Sequence, residues 1–366
     1  YHGGLDDKDS WSELPAKASR PMYLLPENQA LVARKAEAAK GKTFQTASAR
    51  YNAMTGPAWE CADVPDNAYS DGAIADAAIE MLRAAKDKPF FLAVGFLKPH
   101  LPFIAPKKYW DLYASDAIPP AANPFPPKNA TRFTLADWGE MRAYDGIPRS
   151  GAVSDEQARA LKHGYYACVS YMDAQLGRVL DELDRLGLRE RTAVVLWGDH
   201  GWKLGEHGAW CKHSNLENDV RAPLICSVPW QKRAGSRTRA LVEFVDIYPT
   251  LCELAGLPLP AHLEGTSFAP LLDAPDRAWK AAAFSQYPRG PVMGYSLRTD
   301  RYRFTRWVLQ ANGAEQAREL YDHQNDPQEN ENIAERPENR ALVEALTRQV
   351  EAGWRAARQP PAVPGA

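Results

Sequence analysis

The strongest constraint on the fold is a helical stripe that gives way, within a few residues, to a short apolar run. Tyr165, Val169, Met172, Leu176, Val179, Leu180 and Leu183 recur at helical spacing, a pattern that must face a core. Ser154-Asp155 opens this helix as an N-cap, and Gly187 closes it after Leu186. Thr192–Trp197 follows, too short for a helix and too evenly apolar for a strand with one wet face, so a strand buried on both faces is expected. Phe90–Leu97 has the same character. It follows a helix marked by Ile74, Ala77, Ala78, Met81 and Leu82, capped at Ser70-Asp71 and stopped at Lys88-Pro89. Pro223–Val228 is a third candidate strand, and Asp246–Leu254 a short helix closed near Gly256. Strands alternating with helices predict an α/β fold with a mostly parallel central sheet flanked by helices. In such sheets ligands bind beyond the carboxyl ends of the strands.

The rest of the chain differs in texture. Residues 1–68 read as irregular, and the proline-bearing stretch 114–153 as a long surface excursion. Beyond 275, Met293–Thr299 and Tyr302–Trp307 flank Asp300-Arg301 as a hairpin, and Glu319–Asp322 adds a short strand. Pro337 opens a last helix with Leu342, Leu346, Val350 and Trp354 four residues apart. A C-terminal antiparallel sheet with a covering helix is therefore expected over 276–366, after a main domain over 1–275. The tail from Gln359 is expected to be disordered.

Composition narrows the functions. With 44 basic and 46 acidic residues the net charge is -2, which gives no basic surface for nucleic acid. Mean hydropathy is -0.47, and no apolar run reaches the roughly 20 residues of a membrane span. The five cysteines are scattered without a CxxC pair, which disfavours a zinc or redox site.

Chemistry-bearing residues gather after two of the apolar runs. Phe90–Leu97 leads into Lys98-Pro99-His100-Leu101-Pro102-Phe103, and Thr192–Trp197 into Gly198-Asp199-His200-Gly201-Trp202. Lys203, Glu206, His207, Lys212 and His213 follow, with glycines at 198, 201, 205 and 208 that allow close backbone approach. Such a stretch is too polar for core and too glycine-rich for a helix face. A loop that places cations around an anionic group is the better reading. An isolated Asp-His is more often a hydrogen-bonded turn than a metal pair, and for Lys98 and His100 spacing alone favours neither reading.

The motifs Lys98–Phe103, Gly198–Trp202 and Gly205-Glu206-His207-Gly208 resemble the sulfatase family of the alkaline-phosphatase-like superfamily. So do Ser285–Arg289, Met293–Thr299 and Glu319–Asp322 in the C-terminal part. The resemblance implies hydrolysis of a sulfate ester, on a sulfated glycan, a uronic acid or a small sulfate ester, by metal-assisted attack of a formylglycine. It implies Asp199 and His200 as metal ligands, Lys212 as a sulfate contact and His100 beside the leaving oxygen. Lys98, Trp202 and His213 would line the substrate pocket. Calcium rests on the family alone, because a histidine ligand is atypical for it and residue types leave magnesium, manganese or zinc open. The family forms formylglycine from the cysteine of Cys-x-Pro-Ser-Arg, and no cysteine here has that context. Tyr1-His2-Gly3-Gly4 resembles a part of the family downstream of that motif. The nucleophile and further metal ligands are therefore expected outside this chain, which alone should be inactive. Alternatives are phosphate or phosphonate ester hydrolysis within the superfamily, or a non-catalytic protein that binds anionic glycans. An extracytoplasmic setting follows from the resemblance only.

Overall fold

The computed structural model describes residues 7–13 and 18–358, so Tyr1–Gly4 and the tail from Gln359 lie outside the described residues. The chain divides into two compact units, Tyr1–Pro120 with Gly139–Arg189, and Ala121–Trp138 with Glu190–Ala366.

In the first unit the helix Asp155–Arg185 has the predicted bounds. Ser154 and Gln157 form its capping box, and Gly187 follows at φ 68°. Its inner face buries Leu161, Ala167, Cys168, Tyr171, Val179 and Leu183. Gly164 is required there, since a Cβ would lie 2.8 Å from the Phe103 Cβ. The helix packs beside a parallel pair, Trp59–Ala62 with Phe103–Pro106, and against the helix Ser70–Ala85.

Three expectations for this unit are corrected. Residues 1–68 hold the helices Pro26–Ala39 and Ala47–Met54 and the strand Trp59–Ala62. Pro26–Ala39 buries none of its residues, so it carried no apolar stripe to read. The stretch 114–153 is not merely a surface excursion, because Met141, Tyr144 and Ile147 are buried. Phe90–Leu97 forms no strand among the described residues, and Phe91 is 70% exposed. An apolar run becomes a buried strand only where neighbouring strands pair with it.

In the second unit Val194–Trp197 pairs with Leu224–Ser227, but antiparallel, Val195 opposite Cys226. Val195, Leu224 and Cys226 pack on Ile247, Phe268 and Leu271, while Ile225 on the other face is 60% exposed. The described residues thus hold short ladders of both kinds, and a mostly parallel sheet is not clearly formed among them. The helix Ile247–Leu254 is as expected. The C-terminal sheet is antiparallel, with Ala283–Arg289, Val292–Arg298, Tyr302–Leu309 and Glu315–Asp322 as successive neighbours. Leu297, Phe304 and Leu320 pack with Val343 and Leu346 of the helix Arg340–Ala357.

A buried charge cluster crosses this unit. Arg303 Nε donates to Glu329 Oε1 at 2.8 Å, His323 Nε2 lies 2.8 Å from the same oxygen, and Arg303 also pairs with Glu217. Burial alone would raise the Glu329 carboxyl, but Arg303 and His323 outweigh it and hold it below the ordinary range. A depressed carboxylate contributes stability that is fully present above its unfolded value, about 4.3, and lost as pH falls through the folded one. Glu329→Gln should therefore lower the urea midpoint at pH 7 and flatten its decline towards pH 3. A decline as steep as in the native protein would show that Glu329 does not carry the acid sensitivity.

Candidate functional site

In the first unit the Lys98 turn is held from below by a buried carboxylate. Asp71, 1% exposed, accepts the Leu97 N–H on Oδ1 and the Lys98 N–H on Oδ2, each at 2.9 Å. Burial pushes its carboxyl up, against the pull of these donors and the Lys98 charge. The Lys98 ammonium folds back to donate to the Pro102 carbonyl at 2.7 Å and the His100 carbonyl at 3.2 Å. His100 Nδ1 lies 2.7 Å from the Leu101 carbonyl, and Nε2 lies 2.9 Å from Glu140 Oε1. A ring donating at Nδ1 thus meets a carboxylate through its other nitrogen, an arrangement suited to holding or passing a proton.

In the second unit the chemistry follows the strand Val194–Trp197. Gly198 N–H donates to the Pro223 carbonyl at 3.0 Å and Gly201 N–H to the Asp219 carbonyl at 2.8 Å, which fixes the turn between them. The Asp199 side chain is 81% exposed, and its Oδ2 lies 3.7 Å from His200 Nε2. His200 Nδ1 is 2.7 Å from the Gly201 carbonyl, a contact in which Nδ1 donates and which turns Nε2 towards Asp199.

The glycine-rich stretch beyond is a small hairpin. Lys203-Leu204 pairs antiparallel with Trp210-Cys211. Gly205, at φ 105°, and the turn Glu206–Gly208 close it. His207 is 1% exposed there, and burial followed by the Lys203 charge pulls its ring below the ordinary imidazole range. The hairpin returns Lys212 to the strand end, with Nζ 4.8 Å from the centroid of the Trp202 ring. Trp202 in turn stacks on His200 at 6.0 Å. Asp199, His200, Trp202 and Lys212 are therefore drawn together. His213 meets Tyr287 edge-on at 5.9 Å, and Arg289 donates to its carbonyl. Lys212, His213, Ser214 and Asp219 line a narrow cleft with Asp137 and Trp138.

Residues 27–257 match the sulfatase family, and residues 205–355 match the C-terminal region described as N-sulphoglucosamine sulphohydrolase. The chain belongs to the sulfatase family. It is 32% identical to mouse (Mus musculus) iduronate 2-sulfatase over 363 residues, covering 78% of this chain and 66% of that protein. The chain thus spans slightly less than two thirds of the length of that relative. The phosphonate monoester hydrolase of Silicibacter pomeroyi shares the fold, with TM-score 0.70 and 22% identity over 91% of this chain and 69% of that one. A structure in complex with its substrate D-glucosamine-2-N,6-O-disulfate superposes with TM-score 0.63 and 24% identity over 78% of this chain and 70% of that one.

The donor set of this sulfatase-family chain suits a divalent cation at Asp199 and His200. One exposed carboxylate stands beside one imidazole nitrogen whose partner nitrogen is fixed by a carbonyl. A second cluster, Glu217, His323 and Glu329, also brings ligand atoms within 4.8 Å of one another. Arg303 already supplies the countercharge to both glutamates there, so that cluster has no need of a metal. Sequence patterns missed the roles of Asp71, Glu140 and Asp219: Asp71, read as part of a helix cap, holds the Lys98 turn instead, and no motif marks Glu140 or Asp219 for the groups they hold. At Gly201 a Cβ would lie 2.0 Å from the Asn218 carbonyl oxygen. Gly201→Ala should therefore cost about 1–3 kcal/mol in a thermal or urea unfolding assay. An unchanged midpoint would mean that this turn does not pack as described.

Proposed function

We propose that the chain supplies the charge-stabilising part of a sulfuric ester hydrolase. Its substrate in this reading is a sulfated glycan or uronic acid, as the name of the iduronate 2-sulfatase relative suggests. The observation that carries the reading is the gathering of Asp199, His200, Trp202 and Lys212 at one strand end. The functional division is proposed as a catalytic part over 1–275 and a C-terminal part over 276–366. The setting is proposed as extracytoplasmic, where sulfated glycans are met. Among the described residues no helix is long and apolar enough to cross a membrane.

Asp199 and His200 would hold one divalent cation, proposed as calcium. When bound, the cation withdraws charge from a sulfate oxygen. Lys212 then places its ammonium on the sulfate, where negative charge grows as the ester bond breaks. The Trp202 face keeps that ammonium oriented by cation–π attraction. His100, coupled to Glu140, is proposed to protonate the leaving alcohol, with Lys98 and His213 lining the sugar side. The five cysteines do not fit the nucleophile. None of Cys61, Cys168, Cys211, Cys226 and Cys252 stands in the Cys-x-Pro-Ser-Arg context from which the family's formylglycine is made. The formylglycine of this reading therefore comes from outside these residues.

In the full-length protein, Lys212→Ala should lower kcat for sulfate release from a 2-O-sulfated uronate disaccharide about a hundred- to thousandfold. Near-native turnover would remove Lys212 from the site. Faster release of phenol from a phenyl phosphonate than of sulfate would favour the phosphonate alternative, and tight disaccharide binding without turnover the non-catalytic one. Chelation with EGTA should abolish sulfate release and added calcium restore it. Recovery with manganese or zinc but not calcium would reassign the ion.

A further inference from the structure

The buried ion pair between Lys203 and Asp219 lies outside this chemistry and is not explained by stability. Both side chains are 3% exposed, and Lys203 Nζ sits 2.5 Å from Asp219 Oδ1. A buried pair of this kind is commonly no more stabilising than well-packed apolar residues of the same volume. What an apolar pair could not do is accept hydrogen bonds. Asp219 Oδ2 accepts the backbone N–H of His213 at 3.1 Å and the Ser214 hydroxyl at 2.5 Å. Lys203 Nζ donates to the same hydroxyl at 2.9 Å.

We propose that Asp219, with Lys203 as its buried counterion, is a positioning residue that locks the backbone around Lys212 and ties it to the turn carrying Asp199 and His200. The inference rests on the reading of Lys212 as the sulfate contact. Three observations carry it. Cys211, directly before Lys212, is buried at φ 65°, a left-handed conformation that L-residues adopt only where their surroundings over-determine it. Lys203 faces Cys211 in the hairpin ladder, while Asp219 holds His213, so the pair grips Lys212 from both flanks. The main chain of Asp219 also accepts the Gly201 N–H at 2.8 Å, so one residue sets the metal-side turn as well.

The grip has a firm base. The short helix Glu217–Val220 carries Asp219, and its first N–H, from Glu217, donates to Glu329 Oε2 at 2.7 Å. The Glu217 carboxylate meets Arg298 and Arg303 of the C-terminal sheet. Burial lowers the Lys203 ammonium, and Asp219 opposes that pull as the first of its acidic neighbours.

The test compares two double variants of the full-length enzyme that each remove the charge pair. Lys203→Met with Asp219→Asn keeps an oxygen acceptor for the His213 N–H, and Lys203→Met with Asp219→Leu does not. At a temperature where both are fully folded, the first should retain kcat for the sulfated disaccharide within about threefold, and the second should lose at least about tenfold. Equal kcat in the two, or kcat that simply follows melting temperature, would overturn the proposal. Absence of sulfate release in the native enzyme would instead defeat the functional reading. A second measurement then decides the positioning: hydrogen exchange of the native protein. The His213 amide should exchange far more slowly than in an unfolded peptide, and faster in Asp219→Leu than in Asp219→Asn. Exchange at the free-chain rate in the native protein would overturn the lock whatever the turnover.

Discussion

Charge taken out of water must be met by opposite charge or by hydrogen-bond donors, and the second unit is organised by that requirement. Asp246 receives the Lys280 ammonium and the Thr266 N–H, Glu329 receives Arg303 and His323, and Asp219 receives Lys203. An isolated carboxylate in such a place would protonate instead of standing charged. The unit also holds apolar clusters. One joins the C-terminal sheet to its covering helix, and another lies under the antiparallel strand pair. Polar contacts carry direction, which apolar packing lacks, and a site that must aim an ammonium and a carboxylate benefits from direction.

Much of the architecture was legible because burial leaves a period in the sequence. The stripe from Tyr165 to Leu183 announced one helix, although only Val179 and Leu183 of it are buried and Val169 is exposed, and the cap at Ser154-Asp155 and the left-handed Gly187 set its ends almost to the residue. The hairpin over Met293–Trp307 and the last helix were legible for the same reason. Pro26–Ala39 was not, because a helix with no buried residue writes no stripe. Phe90–Leu97 misled in the opposite sense. Eight apolar residues in a row show what a segment avoids, water, and not what it hydrogen-bonds to. Strand direction was equally silent, since side chains alternate alike in parallel and antiparallel ladders, and the pairing of Val194–Trp197 with Leu224–Ser227 came out antiparallel.

At the site, residue types were readable and their supports were not. Asp199, His200, Trp202 and Lys212 stand within one short stretch whose glycines announce a special backbone. The groups that hold this backbone come from elsewhere. Asp219 is beyond the hairpin, and Tyr287 and Arg289 lie on a strand of the C-terminal sheet. A carboxylate that accepts a backbone N–H leaves no signature, because the partner it serves is the part of the chain common to every residue.

The hold of Asp71 on the Lys98 turn has a mechanical consequence. Asp71 lies in the first turn of a 16-residue helix, a stiff rod about 24 Å long. Near the far end of that rod Arg83 is clasped by Glu182 of the long helix, which also binds Arg185. Both backbone amides at the head of the turn end on one carboxylate, which ties the turn to the rod. Arg83 and the Lys98 turn are therefore joined through one helix, each end fastened by a carboxylate. Surface changes remote from any reacting group can thus act on this turn as on the end of a lever.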